Sequence, residues 1–289
     1  MSEQPKRIVR DSMIGLDLPA VDRWSERVAV VLGQNPGPFT GPGTNTFIIG
    51  TGKNRLLLDT GDGHVAYAGL LEGALEQVCG GCRIETIAVT HAHPDHIGGV
   101  EAVWAKLGEV PLHKMPAGAA DRGLPVEALT DGAELAVEGA TLRALWTPGH
   151  ARDHLCFYLP EEKAVFTGDN ILGAGTTVIP ADGDLGDYLR SLERLLELDL
   201  EVIYPAHGPA IRDPYEKIRD YIAHRRLREE QIIAALGEGR RLVADIVAAI
   251  YTDVPEFLHP AAAMSVEAHL RKLAGEGRAV EDEAGWHLR

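Results

Sequence analysis

The feature of this 289-residue sequence that most constrains its fold is a short segment crowded with metal-binding side chains. The segment Thr90–His96 (THAHPDH) holds three histidines and one aspartate, and it directly follows the apolar run Glu85–Thr90 (ETIAVT). A loop at the end of a strand can direct several side chains at one point, and these donors suit zinc, iron or manganese. Histidines also cap helices and cover surfaces, but such close spacing predicts a metal site. The four donors are His91, His93, Asp95 and His96.

Three further candidate donors follow later apolar strands, each in a turn that contains glycine or proline. His150 ends the sequence PGH, Asp169 ends GD, and His207 lies in PAHG. Turns of this kind at a sheet edge present a side chain without burying it. Together with the first segment they supply enough donors for two ions.

The first 210 residues alternate short apolar strands with helical stretches. The many hairpin-type connections favour a mixed α/β arrangement over a simple parallel doubly wound sheet. The predicted strands are 27–32, 46–49, 55–59, 85–90, 141–146, 155–159, 164–167 and 202–204, and the predicted helices are 66–78, 99–107 and 185–198.

Helical patterns dominate after Pro214. Three predicted helices (215–236, 242–251 and 260–275) precede two short strands in residues 278–289, which is the winged-helix arrangement. We therefore predict a catalytic domain in residues 1–212 and a helical linker with a winged-helix domain in residues 213–289.

The donor series His-x-His-x-Asp-His, then His, Asp and His, resembles the metallo-β-lactamase superfamily. The motifs TxHxHxDH, PGH, GD and PxHG carry this resemblance, which covers roughly residues 25–210. It implies an α+β fold, an αββα sandwich with a two-metal site at one edge. Carried over residue by residue, it implies the following roles: His91, His93 and His150 bind one metal, Asp95, His96 and His207 bind the other, and Asp169 bridges them.

Two more stretches are similar to the β-lactamase-like protein 2 family. They are the Gly/Pro loop Asn35–Thr46 and the segment His224–Gln231, and with the winged-helix tail the resemblance spans nearly the whole chain. That family includes a mitochondrial endoribonuclease for single-stranded RNA, and polyketide-releasing thioesterases resemble it. Ala151 departs from the superfamily pattern, in which threonine often follows the Pro-Gly-His segment.

The resemblance implies two zinc ions, with iron or manganese as alternatives, and a metal-bound hydroxide as nucleophile. Asp95 is then the candidate catalytic residue, which accepts a proton or orients the water. Asp59 is a candidate partner for a ligating histidine, although it could equally cap a turn. The remaining candidates for support of the site or its pocket are His154, His113 and Asn45.

Three functions compete. The first is an endoribonuclease acting on short single-stranded RNA, and the second is a hydrolase of thioesters, lactones or other carboxylic esters with weak β-lactamase side activity. The third is a winged-helix DNA-binding regulator. The formal charge of −15 and the few basic residues of the candidate recognition helix argue against broad nucleic-acid binding and against specific duplex DNA binding. The arginines of His224–Gln231 form either a solvated helix face or a contact for an anionic substrate.

The remaining composition indicates a cytoplasmic protein without a membrane segment. Cys79, Cys82 and Cys156 form no disulfide framework, and the N-terminus MSEQPKRIVRDS has no apolar core for a signal peptide. No apolar run reaches the length that a membrane helix needs. We expect the winged-helix domain to pack on the catalytic domain or to form a homodimer.

Overall fold

The computed structural model describes Met13 and residues 15–252 and 254–289. The segment MSEQPKRIVRDS, from which we predict the absence of a signal peptide, lies outside the described residues.

A seven-stranded sheet forms one layer of the fold, with its strands in chain order from one edge to the other. The first four strands are antiparallel and the last four are parallel. The strands are β1 (Val21–Arg23), β2 (Val28–Leu32), β3 (Asn45–Ile49), β4 (Asn54–Leu58), β5 (Arg83–Ala88), β6 (Leu112–Lys114) and β7 (Val126–Ala128).

A five-stranded sheet packs against the first. Its order is β12-β11-β10-β9-β8, antiparallel except for the parallel pair of β11 and β12. The strands are β8 (Glu134–Val137), β9 (Ala140–Trp146), β10 (Leu155–Leu159), β11 (Ala164–Gly168) and β12 (Val202–Pro205).

Side chains on the two faces of β2 show how the layers are held together. Val28 and Val30 belong to the core between the sheets, whereas Ala29 and Val31 pack in the core beneath α1 (Tyr67–Gln77). This alternation follows from the two-residue period of a strand, and a strand buried on both faces reads as continuously apolar. The outer helices of the first sheet also include α2 (Pro94–Ile97) and α3 (Val100–Leu107). The second sheet is covered by α4 (Leu185–Leu195) and α5 (Pro214–Gly237).

The predicted α+β fold, an αββα sandwich followed by a winged helix, is confirmed. The sequence prediction missed the short strands β1, β6, β7 and β8. Each has at most four residues, and several contain charged side chains, so their apolar periodicity is too weak to read.

The C-terminal helices share their apolar surface between two cores. The long helix α5 contributes its first half to the core over the second sheet and its second half to a separate C-terminal core. That C-terminal core also contains α6 (Val243–Ile250), α7 (His259–Gly275) and the hairpin of β13 (Ala279–Asp282) and β14 (Gly285–Leu288). Because α5 contributes to both cores, the domain boundary at residue 212 stays a prediction. The homodimer also stays a prediction.

Helix α7 is buried on two sides. Val266 and Leu270 face the C-terminal core, whereas Ala268 packs in the core that α4 covers. The third helix of the winged-helix module therefore lies between its own module and the sandwich.

The described helices include none that is both long and apolar enough to span a bilayer. The cytoplasmic location stays a prediction.

The stability of the C-terminal helices should depend on pH through His269, which α7 and α5 enclose. Burial and the nearby guanidinium of Arg225 lower the pKa of His269 from 6.5 to about 4. Between these two pH values the unfolded chain binds a proton that the folded chain does not. The contribution of His269 to stability is therefore constant at higher pH and decreases as the pH is lowered from 6.5 to about 4. We expect this group to lower the free energy of unfolding by about 2 kcal/mol between pH 7 and pH 5.

The measurement is urea unfolding of the wild type and His269→Gln at both pH values, with chelator present so that metal loss affects neither. The wild type should lose about 2 kcal/mol more than the variant on acidification. Equal losses in the two proteins would show that His269 does not titrate in this way.

Candidate metal centre

The seven predicted donors meet at one edge of the sandwich because each follows the end of a strand. The first four lie in the loop after β5 and in α2, and the others follow β9, β11 and β12. They form two groups, and in each group the donor atoms lie within 4.8 Å of one another. One group is His91, His93, His150 and Asp169, and the other is Asp95, His96 and His207.

Three imidazole nitrogens face one another in the first group. His93 Nδ1 lies 2.9 Å from His91 Nε2 and 2.9 Å from His150 Nε2. Nitrogens that share a tetrahedral zinc ion at about 2.0–2.1 Å are separated by about 3.3 Å, so this spacing is slightly tighter than a bound ion would set. The three ring nitrogens converge as those of metal ligands do.

Asp169 joins the two groups. Its Oδ2 lies 3.5 Å from His150 Nε2, whereas its Oδ1 lies 3.0 Å from His207 Nε2 and 3.4 Å from His96 Nε2. Asp95 Oδ2 contacts the same two histidines, at 3.3 Å from His207 Nε2 and 3.5 Å from His96 Nε2. One carboxylate oxygen of Asp169 thus faces each group.

Two buried atoms at the centre indicate that a cation fits here. His96 Nε2 and Asp169 Oδ1 are buried without a hydrogen-bond partner. The two atoms lie 3.4 Å apart, and Asp169 Oδ1 lies 3.0 Å from His207 Nε2, so they attract one another as charges without hydrogen-bond geometry. A cation between them would give each atom a directed partner. The nitrogen and carboxylate donors match the preferences of zinc, iron and manganese.

The charges of the groups are set by burial and by their neighbours. Burial lowers the pKa of His91 well below its usual value and also lowers that of His150, so both rings are neutral, as metal ligands must be. Burial opposes protonation of His207 too, but Asp169 and Asp95 outweigh it and raise its pKa to about 9. His96 is likewise raised well above its usual value by Asp95, Asp59 and Asp169 against burial.

The two carboxylates are correspondingly acidic. Burial would raise the pKa of Asp95 and Asp169, but the adjacent His96 and His207 outweigh it and lower both. Both groups are therefore anionic at neutral pH. Cation binding at the second group would displace the protons of its histidines.

Asp59 orients the ring of His96. The Nδ1–H of His96 donates to Asp59 Oδ2 at 2.8 Å, which leaves Nε2 facing the donor group. The Thr90 backbone N–H and hydroxyl donate to the same carboxylate at 2.8 and 2.9 Å. Asp59 has a φ of 59°, a conformation that aspartate and asparagine tolerate better than most residues.

Two other predicted supporting residues lie next to the donors. His154 is fully buried, and its Nε2 accepts the backbone N–H of Asp169 at 3.2 Å. The side chain of Asn45 donates to Pro205 O at 2.9 Å and to Gly208 O at 2.8 Å, across the turn that carries His207.

The structure does not bring His113 into either donor group. It lies on β6, and its Nδ1 is 3.6 Å from Glu127 Oε2. A role for His113 in the pocket stays a prediction.

The sequence reasoning missed a buried ion-pair cluster beside the loop. Lys114 is fully buried, and its Nζ lies 2.5 Å from Asp121 Oδ1 and 3.0 Å from Asp153 Oδ2. Asp153 accepts the N–H of Ala92 at 2.9 Å, between two of the donor histidines. A single lysine in the sequence LHK gives no signal for this arrangement.

The arginines of His224–Gln231 do not share one solvated face. Arg225 is only 2% exposed, and the guanidinium of Arg228 lies 4.2 Å from the ring centroid of Tyr251. Arg226 is exposed, and its Nη2 is 3.4 Å from Glu193 Oε1.

Comparison with known proteins identifies relatives across the chain. A family model described as the metallo-beta-lactamase superfamily matches residues 39–207, and one described as the beta-lactamase associated winged helix domain matches residues 243–286. A "beta-lactamase-like protein 2 homolog" of Caenorhabditis elegans is 40% identical over 89% of this chain and 87% of its own length. An "atrochrysone carboxyl ACP thioesterase" of Claviceps purpurea is 41% identical over 93% and 87%.

Solved structures agree in fold. The metallo-beta-lactamase family protein TTHA1429 from Thermus thermophilus superposes with a TM-score of 0.77 at 26% identity, over 92% of this chain and all of that one. A beta-lactamase domain protein from Burkholderia ambifaria superposes with a TM-score of 0.80 at 21% identity, over 95% and 96%.

Replacing Asp59 should weaken metal binding without unfolding the chain. Asp59→Asn keeps a residue that accepts the positive φ but removes the charge that holds the His96 Nδ1–H. Partners of this kind change metal affinity by about 10–100-fold, so we expect a loss in that range for one of two ions. Competition with a chromophoric chelator measures it.

Asp62→Asn is the matched control, because this exposed neighbour bonds only the local His64 N–H in the structure. It should bind both ions as the wild type does. An Asp59→Asn variant with unchanged affinity at both sites would rule out the proposed contact as a determinant of metal binding.

Proposed function

Because this chain belongs to the metallo-β-lactamase superfamily and is a hydrolase of that superfamily, we propose that it is a two-zinc enzyme that cleaves acyl thioesters and related carboxylic esters. The observation that carries the proposal is the pair of donor groups joined by the carboxylate of Asp169. Iron or manganese would use the same nitrogen and oxygen donors.

The ions, when bound, lower the pKa of a water molecule and polarise the scissile carbonyl group. His91, His93 and His150 would hold one ion, Asp95, His96 and His207 the other, and Asp169 both. The chain's own contribution is to keep these side chains in place before substrate arrives, through the buried contacts of Asp59 and His154.

Asp95 is the residue that we assign to proton transfer. Its side chain is 26% exposed, against 15% for Asp169, so it faces the open side of the site. Both of its histidine contacts use Oδ2, which leaves Oδ1 to orient the attacking water and accept its proton. A carboxylate within hydrogen-bond reach of the nucleophile serves as a general base.

The chemistry of the surface favours a thioester over RNA. Similar proteins of Claviceps purpurea and Aspergillus fumigatus carry the name atrochrysone carboxyl ACP thioesterase. Binding of single-stranded RNA needs a positively charged groove with stacking aromatics. Arg225 is buried and Arg228 lies against Tyr251, so this arginine cluster offers mainly Arg226 to a phosphate backbone. Short single-stranded RNA is the competing substrate class.

The position of α7 argues against a DNA-binding regulator. A winged helix reads duplex DNA by inserting its third helix into the major groove. Here α7 is buried on two sides, and Arg271 donates to Pro180 O at 3.0 Å while Lys272 contacts Glu229 at 2.7 Å. Its basic side chains are engaged within the chain.

Parallel turnover assays separate the two substrate classes. The zinc-loaded protein is given a panel of acyl-thioesters and a labelled single-stranded RNA, and we expect thioester hydrolysis to exceed RNA cleavage. Asp95→Asn should reduce the hydrolysis by about 100-fold or more, since general-base catalysis contributes about that much. RNA cleavage by the wild type that Asp95→Asn abolishes would assign the enzyme to RNA. RNA cleavage that persists in the variant would indicate a contaminating nuclease.

Asp169→Ala tests the ligand assignment. Loss of the bridging carboxylate should lower the bound zinc below two per chain and abolish hydrolysis, while circular dichroism shows an intact fold. Asp187→Ala, which replaces a partly exposed aspartate in α4 that pairs with Arg190, is the control and should keep both ions. Unchanged zinc in Asp169→Ala would refute the assignment.

A further inference from the structure

The loop between β11 and α4 controls two of the candidate ligands. It begins with Asp169, and its backbone carbonyl at Val178 accepts the His150 Nδ1–H at 2.8 Å. The hydroxyl of Thr177 donates back to Asp169 O at 2.7 Å. The position of Thr177 and Val178 therefore determines both the backbone of the bridging carboxylate and the orientation of the His150 ring.

The buried side chain of Arg225, on α5, hydrogen-bonds to this part of the loop. Its Nη2 donates to the carbonyl oxygen of Thr177, and its Nη1 donates to Ser265 Oγ at 3.3 Å, on α7. Its guanidinium also lies 5.4 Å from the ring centroid of Tyr188. The planar guanidinium group of Arg225 thus connects α5, α7 and the loop that carries Asp169.

A buried arginine is costly unless hydrogen bonds and nearby charge distributions compensate for lost hydration. The partners that the structure shows for Arg225 are a carbonyl, a hydroxyl and an aromatic face, all of them neutral. What arginine supplies at this position is the fixed geometry of its fork, which lysine cannot reproduce.

Other residues of the C-terminal helices contact the same loop. The hydroxyl of Tyr221 accepts the N–H of Leu172 at 3.0 Å and donates to Gly175 O at 2.9 Å. Arg271 donates to Pro180 O at 3.0 Å. The loop is therefore held at several successive points by α5 and α7.

We propose that Arg225 is a positioning residue for the metal centre, and that α5 and α7 of the C-terminal region act as a clamp that holds the Asp169 loop in its ligating conformation. The inference rests on the proposed function, because it assumes that Asp169 and His150 bind the ions. It gives the C-terminal helices a role in metal binding in place of nucleic-acid recognition.

The test compares Arg225→Met, which keeps an unbranched apolar stem but cannot donate, with Arg225→Lys and with the control Arg226→Met. Arg226 is the next residue on α5, is exposed, and contacts only Glu193 in the structure. Metal affinity is measured by chelator competition, coordination by the visible absorption of the cobalt-substituted proteins, and folding by circular dichroism and thermal unfolding.

We expect Arg225→Met to weaken metal binding by about 10–100-fold and to change the cobalt spectrum. Arg225→Lys should recover only part of the affinity, since a lysine ammonium cannot bridge Thr177 O and Ser265 Oγ as a fork does. Arg226→Met should match the wild type. Should Arg225→Met fail to fold, Thr177→Val removes the hydroxyl that joins the clamped segment to Asp169, and the same loss of affinity is expected.

An Arg225→Met protein with reduced thermal stability but wild-type affinity and cobalt spectrum would overturn the inference, because Arg225 would then serve packing alone. If Arg225→Met does not fold, a Thr177→Val variant with wild-type metal affinity and cobalt spectrum would overturn the inference as well. A wild-type chain that binds two ions but hydrolyses neither substrate class would contradict the proposed function and leave the clamp intact. A wild-type chain that binds no ion would contradict the proposed function itself.

Discussion

The structure depends on the convergence of five imidazoles and two carboxylates at one edge of a β-sandwich. Like-charged carboxylates repel one another, as do ring nitrogens that face each other without a proton between them, and most of the cluster is buried, so water screens this repulsion weakly. Without a cation, His96 and His207 relieve the repulsion by holding protons, as the raised pKa of His207 to about 9 indicates. A site in this state can exchange protons for divalent cations, which supply more charge at the same positions.

Three buried contacts hold the cluster in place against this repulsion. Asp59 holds the ring of His96, His154 holds the backbone of Asp169, and Asp153 holds the loop at Ala92. Each contact is made from a strand end or a turn of the sandwich, so the two sheets restrict the movement of the donors. Such support keeps ligands near their binding geometry before an ion arrives.

The C-terminal winged helix shares its helices with the core over the sandwich, and we propose that it supports the metal centre. A winged helix commonly presents its third helix to DNA, but two sides of α7 are packed in cores, and its accessible stripe carries the acidic Glu267 at its centre. Fold likeness alone would suggest nucleic-acid recognition, whereas the contacts of Arg225 and Arg271 point to the metal centre. Function follows from the site and not from the fold.

The sequence by itself determined which side chains are candidate donors, since the spacing of His91 to His96 and the turns of His150, Asp169 and His207 are local patterns. Periodicity also predicted the longer strands and helices and the winged-helix arrangement, whereas the αββα sandwich was implied by the resemblance of the donor motifs to a known superfamily. Only the tertiary structure decided that Lys114 pairs with Asp153 and that Arg225 is buried while Arg226 is exposed. The reason is physical: local patterns report which face of one element is apolar, but the partner of a buried charge comes from a distant segment that the pattern does not contain.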